Sequence, residues 1–351
     1  MTPRHFARFG GLALAALAFC CALPTALAQE QALPPGVTKE IQQSIQRGLD
    51  YLTKTQAADG SWRNAGGYGS YPAAMTGLAG MALLCSGSTP TRGPHWKQVR
   101  QATEFLMKHS DPNSGVISVP EEEGRSMYGH GFALLFLASV YGMEEDTARQ
   151  QRLQKILSKA VTLIARSQSA AGGWLYTPDS GGDEGSVTVT QIQALRACRN
   201  AGITVPTTTI TRAVQYIRKC ANADGSIRYS LGSGGEGRPA ITAAAVAVLY
   251  NAGSYDDPMA EKALEYSKKH VQVSGGNSGH HYYAHLYMSQ ALYQRGGKDW
   301  DDYYTRMANW LMKQQRKDGS WDGDGVGTVY GTAIALTILQ LPHALAPIYQ
   351  R

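Results

Sequence analysis

The chain has 351 residues, 43% hydrophobic and 17% charged, with 39 glycines, 19 tyrosines and a formal charge of +6. It is long enough for one large core, and its lysines and arginines are scattered rather than gathered in a run, which argues against nucleic acid as a partner. After the first residues no apolar stretch approaches the length needed to cross a bilayer, so no transmembrane helix is expected, although peripheral membrane contact stays compatible with the sequence.

The first element reads as a Sec-type export signal. Arg4 and Arg8 give a charged start, Gly11 to Leu23 an apolar core, and Ala26-Leu27-Ala28 a small-x-small cleavage site before Gln29. This divides the chain into a signal peptide, 1–28, and a mature domain, 29–351, destined for the periplasm or the cell exterior. Phe19 stands where lipid attachment at Cys20 needs a small residue, which argues against an anchor. The mature part keeps 31 Lys and Arg against 27 Asp and Glu, a net +4. It also keeps Cys85, Cys198 and Cys220; an odd count leaves at least one free thiol, and these read as small buried apolar residues.

From Lys39 onward the chain alternates two kinds of helical stretch. Lys39 to Thr55 and Arg149 to Ser167 carry apolar residues every three or four positions opposite a wet face of Lys, Arg, Gln and Glu, the pattern of outer helices. Between them lie stretches rich in Ala, Gly, Thr and Leu: 73–84, 129–141, 187–197, 240–250, 281–293 and 328–339. Nearly without charge, these are expected to be inner helices packed on all sides. Each outer stretch ends in a recurring block. Gln56 with Asp59-Gly60-Ser61-Trp62, Gln168 with Gly172-Gly173-Trp174, and Gln315 with Asp318-Gly319-Ser320-Trp321 are full copies. Weaker ones align at Ser110, Ala221 and Val271, with spacings of 54, 58, 53, 50 and 44 residues. Six such units predict an all-α fold, an α6/α6 toroid of six helical hairpins closed into a ring.

The Gln, Gly and Trp block resembles the QW motif of squalene-hopene cyclases, and the resemblance covers essentially the whole mature chain. It places the sequence with the terpenoid cyclase superfamily, which includes prenyltransferase β-subunits, and specifically with exported squalene-cyclase-repeat proteins of bacteria. In that family the block is a fastening: Gln ties an outer helix end to the next loop, and Trp seals the wedge between hairpins. The DxDD motif of class II cyclases is absent, and Asp322-Gly323-Asp324-Gly325 reads as a solvated turn. His281 could match the zinc-binding His of prenyltransferases, but Arg238-Pro239-Ala240-Ile241-Thr242 holds no Asp-x-Cys, which argues against zinc; no cofactor is expected. A thioester motif is absent as well.

In such a toroid the inner helices run parallel, and their N-termini surround one mouth of a central cavity, where dipoles and free amides favour an anionic group. The residues expected at this rim are Tyr68, Tyr71 and Met75, then Glu123, Arg125, Tyr128 and His130, then Asp183 and Glu184. Units four to six add Glu236 and Arg238, then His280, His281, Tyr283 and His285, then Asp322, Asp324 and Tyr330. His130, between Gly129 and Gly131, is the leading catalytic candidate, with Glu123 and Asp183 as acid/base partners. Arg125, Tyr128, Glu236, Arg238, His281, Tyr283 and Tyr330 are expected to bind ligand. His281 and His285 have metal spacing but no third ligand, so no metal site is expected. Three functions fit: binding or acting on an isoprenoid or other ligand with an anionic group, acting as a secreted polysaccharide lyase or hydrolase on an acidic saccharide, and serving as a non-catalytic scaffold.

Overall fold

The computed structural model describes residues 32–179, 181–275 and 280–350, and the chain from Pro34 onward folds as one unit. The expected signal peptide and its cleavage site lie outside the described residues. Outer helices α1 (Lys39–Thr55), α3 (Trp96–Lys108), α5 (Thr147–Ser167), α7 (Thr207–Cys220), α9 (Pro258–His270) and α11 (Gly297–Gln314) alternate with inner helices. The inner ones are α2 (Pro72–Cys85), α4 (Ser126–Tyr141), α6 (Gly185–Asn200), α8 (Pro239–Asn251), α10 (His281–Arg295) and α12 (Thr328–Gln340). Inner helices pack in the order α2, α4, α6, α8, α10, α12, and α12 packs back on α2, so the ring is closed. Each outer helix leans chiefly on the inner helix of the preceding unit, α3 on α2 and α1 on α12.

The two helix classes follow from their composition. Every residue of α2 is buried, whereas α1 buries one stripe, Ile41, Ile45, Leu49 and Leu52, and leaves its charges in water. Cys85, Cys198 and Cys220 are free thiols, all buried.

The Gln, Gly and Trp turns join the units. Gln56 Nε2 donates to the Gly60 carbonyl of its own turn (2.9 Å) and to the Gln98 carbonyl of α3 (3.0 Å). Gln168 does the same to Gly172 and to Thr209 of α7. Gln315 reaches Gly319 and Ser44 of α1, both at 2.9 Å, which fastens the sixth unit to the first. The indole N–H groups of Trp62, Trp174 and Trp321 donate to the carbonyls of Leu52, Ile164 and Leu311 near the ends of their own outer helices. The turn glycines sit at positive φ directly on the next outer helix: a Cβ on Gly60 would lie 2.3 Å from the Gln101 carbonyl oxygen, and one on Gly319 2.3 Å from that of Arg47.

The far end of the ring is filled. Gln193 Nε2 of α6 donates to Gln290 Oε1 of α10 at 2.6 Å, and the 3₁₀ turn Pro347–Tyr349 packs on both helices. The open space that concerns the site lies at the other end, at the N-termini of the inner helices.

Gly275 provides a natural control for the closure contact, because it has a similar φ of +96° but nothing within 4 Å of its added Cβ among the described residues. Gly319→Ala is expected to lower the unfolding free energy by roughly 1–3 kcal/mol more than Gly275→Ala, measured by urea titration. Equal losses would show that the glycine contact does not hold the ring.

Candidate functional site

One residue near the start of each inner helix sets the register. Thr76, Thr188, Thr242 and Thr332 accept, through Oγ1, the amides of Trp62, Trp174, Ile227 and Trp321 at 2.9–3.1 Å. In the second unit His130 takes this place: its Nδ1 accepts the Ile117 amide at 3.1 Å. His285 occupies the matching position of α10, with Nδ1 at 2.9 Å from the Tyr303 hydroxyl and Nε2 at 3.2 Å from the Gln272 carbonyl.

Two residues before this latch, each inner helix presents a side chain to the ring axis. These six residues are Ala74, Tyr128, Ser186, Ala240, Tyr283 and Tyr330, and all line one cavity of about 350 Å³. Met75, Leu78, Phe132, Ile241 and Val326 add apolar wall, while Tyr68, Tyr71, Tyr176 and Tyr229 rise from the loops. Arg125, Arg238 and Asp324 are its charged residues, and His280 its histidine. Tyr128 donates to Glu184 Oε1 at 3.2 Å and lies 2.5 Å from the Ser186 hydroxyl. The Tyr176 and Tyr229 hydroxyls are hydrogen-bonded to each other, Arg125 lies 4.2 Å above the Tyr176 ring and Arg238 5.7 Å above that of Tyr229.

The helix N-termini do not form a ring of free amides. Glu123, from the second unit, accepts the Ala73 amide of α2 at 2.6 Å. Glu184 accepts the amides of Ser186 and Val187 in α6. Asp324, from the sixth unit, accepts the Tyr282 amide of α10 at 2.7 Å. The carbonyls of Tyr176 and Tyr229 accept from Met127 and Gly185, at the starts of α4 and α6. At α2, α4, α6 and α10, amides that the helix would offer to an anion are thus engaged within the protein. Burial pushes Glu123, Glu184 and Asp324 up, against the hydrogen bonds that favour their charged forms.

The structure therefore corrects the expected rim. Arg125, Tyr128, Arg238, Tyr283 and Tyr330 come together in the cavity, with Tyr68, Tyr71, Met75, His280 and Asp324. His130 is fully buried and lies outside the cavity wall, because its ring replaces a latch threonine. Glu123 is buried as well, holding Ala73, Ser118 and Val119. Asp183 lies outside the wall, close enough for its charge to act on the Tyr216 hydroxyl, which burial already pushes up. Glu236 is exposed and not part of the wall. His281 packs 4.3 Å from the rings of both His285 and Trp310. Asp322 is an exposed turn residue paired with Arg316, whereas Asp324, expected at the rim and in the same turn, lines the cavity. Tyr176, Ser186, Tyr229 and Phe132 were not expected at the wall; the threonine register of the inner helices is the signal that finds Ser186.

A closed ring of six helix pairs with a blind pocket at the inner-helix N-termini defines an α/α toroid. The prenyltransferase alpha-alpha toroid domain family matches residues 13–207 and again 158–323, and the chain belongs to this family. The fold is similar to the apo type II terpene cyclase MstE from Scytonema, at 16% identity and TM-score 0.58, over 88% of this chain and 100% of that one. A protein from Actinoplanes is 19% identical with TM-score 0.59, covering 87% and 99%. The GH76 alpha-mannanase of Bacteroides thetaiotaomicron is 9% identical with TM-score 0.61, covering 86% and 95%. At these identities the likeness concerns the fold. Among curated proteins no sequence matches.

Burial holds the His130 imidazole down at about 4, below the roughly 6.5 of an unfolded chain. Between these values the unfolded chain binds a proton that the folded chain refuses, so this stability is present above pH of about 6.5 and is lost as the pH falls toward 4. His130→Thr is expected to keep the latch and to flatten this acid loss, whereas His130→Ala, leaving the Ile117 amide unpartnered, costs about 1–3 kcal/mol at neutral pH. Equilibrium unfolding of the three proteins between pH 7 and 5 checks both expectations.

Proposed function

We propose that the chain is an exported toroid whose blind cavity holds the end of an isoprenoid-like amphiphile bearing an anionic group. The observation that carries this reading is the cavity wall itself: Ala74, Met75, Leu78, Phe132, Ile241 and Val326 among seven tyrosines, below a mouth that carries Arg125 and Arg238. Apolar burial at about 25 cal/mol per Å² drives such a ligand inward, and the arginines retain its charged end. The volume, about 350 Å³, is near the low end of the ~300–1,000 Å³ usual for ligand pockets. It suits a small amphiphile or one end of a longer one. A related toroid, a variant of the terpene cyclase MstE, holds geranylgeranyl dihydroxybenzoate, an isoprenyl chain on a benzoate.

An acidic-saccharide lyase or hydrolase is the competing reading, since the mannanase likeness reaches TM-score 0.61. Glycoside hydrolysis calls for a pair of carboxyl groups facing the substrate. Glu123 and Glu184 are instead engaged with helix amides, which favours the amphiphile.

In a thermal-shift assay of residues 29–351, geranylgeranoic acid is expected to raise Tm, since a ligand at one hundred times its Kd adds about 2.7 kcal/mol. Ala240→Trp, which fills the cavity from a partly exposed wall position, is expected to erase the shift. A shift given by oligogalacturonate alone would favour the saccharide reading, and silence toward both would favour a protein-binding scaffold.

A further inference from the structure

We infer that Arg125 and Arg238 act as one clamp on a single oxyanion, carboxylate or phosphate, and that Tyr176 and Tyr229 are its positioning residues. This rests on the amphiphile reading and specifies how the head group is held.

Arg125 is the N-cap residue of α4 and Arg238 that of α8. These helices flank α6 in the ring, and both arginines face the same cavity. Neither forms an ion pair among the described residues, in contrast to Arg63 and Arg316, which engage Glu122 and Asp322. Each guanidinium lies over a tyrosine ring, and stacking leaves the N–H donors on its edge free for an anion.

The two rings are a single support. Their hydroxyls are bonded to each other, and their carbonyls are fixed by the amides of Met127 and Gly185. Bridges between Trp174 and Glu184 and between Arg228 and Gly237 pin the loops that carry them. Burial, the hydrogen bond with Tyr176 and the charge of Glu184 push the Tyr229 hydroxyl up, and Arg125 opposes them more weakly, so Arg125 also acts at the ring that Arg238 covers. An anion entering this cavity therefore meets both cations on one side of the mouth. The cavity's carboxylate, Asp324, caps α10, and Glu184 is buried behind Tyr128 and Ser186, and neither forms an ion pair with the two arginines among the described residues.

The test compares dodecanoate, dodecanol and inorganic phosphate by calorimetry and thermal shift on residues 29–351. Wild type is expected to prefer dodecanoate over dodecanol by about tenfold or more. Arg125→Ala and Arg238→Ala should each abolish most of that preference, Arg→Lys should restore it in part at best, and dodecanol binding should change less than dodecanoate binding. Tyr176→Phe and Tyr229→Phe should each weaken dodecanoate by about threefold, with the double variant no worse than either single one because both remove the same hydroxyl contact. The clamp is overturned if either alanine variant keeps the anion preference, or if the Tyr→Phe variants weaken dodecanol as much as dodecanoate. Silence toward both amphiphiles would sink the amphiphile reading alone. The clamp is then decided by phosphate: a rise in Tm that is lost in Arg125→Ala upholds it, and no rise in wild type overturns it.

Discussion

The ring depends on a backbone contact between units, in which a glycine at positive φ lies against a carbonyl of the next outer helix. Gly60, Gly115, Gly172, Gly225 and Gly319 all make it, with an added Cβ falling 2.3–2.6 Å from the carbonyl oxygens of Gln101, Lys159, Arg212, Lys262 and Arg47. No side chain fits in that space, so at these five joints each unit meets its neighbour at a fixed offset. Where glutamine stands beside the glycine, its amide spans both backbones and ties them. This rigid step recurs at five of the six joints, and the last of them brings Gln315 to Ser44 and closes the ring. An open superhelix would need a different offset or a softer joint.

Closure in turn decides what the mouth of the cavity can offer. At four of the six inner helices the next unit's loop reaches the helix end and bonds an amide there: Glu123 over α2, the Tyr176 carbonyl over α4, the Tyr229 carbonyl over α6 and Asp324 over α10. The dipole of those helices is met by protein atoms, and at α2, α6 and α10 by a carboxylate. Positive charge at the mouth comes instead from Arg125 and Arg238, on the ends of α4 and α8 that no side chain caps. Electrostatics in the cavity is therefore lopsided, with its cations around the third unit. A ring of six equivalent dipoles would have no such direction.

Much of this was legible in the sequence. The apolar period of α1 and the uniform Ala, Gly and Leu of α2 separate outer from inner helices because burial on one side and on all sides leave different compositions. The stretch expected at 73–84 is a helix over Pro72–Cys85. For α4 the expected start at 129 is late, since Arg125 supplies no capping side chain and Gly129 and Gly131 mask the onset at Ser126. Residues named by their nearness to the rim divide in two, and sequence nearness alone cannot separate them. Tyr128 and His130 are neighbours on one helix, yet one faces the axis and the other receives the Ile117 amide. Glu123 bonds an amide 50 residues away, a pairing that exists only once the ring has closed. Tyr176 and Tyr229 follow Trp174 and Ile227 by two residues and face the cavity, but loops carry no period from which to read that.

Repetition and function are kept on separate positions of the same helix. At the latch the residue must accept a backbone amide, and five units use Thr or His to do so. Two residues earlier nothing in the fastening constrains the side chain, and the six copies hold Ala, Tyr, Ser, Ala, Tyr and Tyr. Tyr128 and Tyr283 stand on opposite helices of the ring, and the Tyr283 hydroxyl is buried without a partner among the described residues. Small residues on α2, α6 and α8 leave the open volume beside them, near the arginines on the α4 and α8 ends. A ligand entering this space meets small side chains on one flank and tyrosine on the other, with cations at one sector of the mouth. Its orientation follows from those differences, which a ring of identical repeats could not provide.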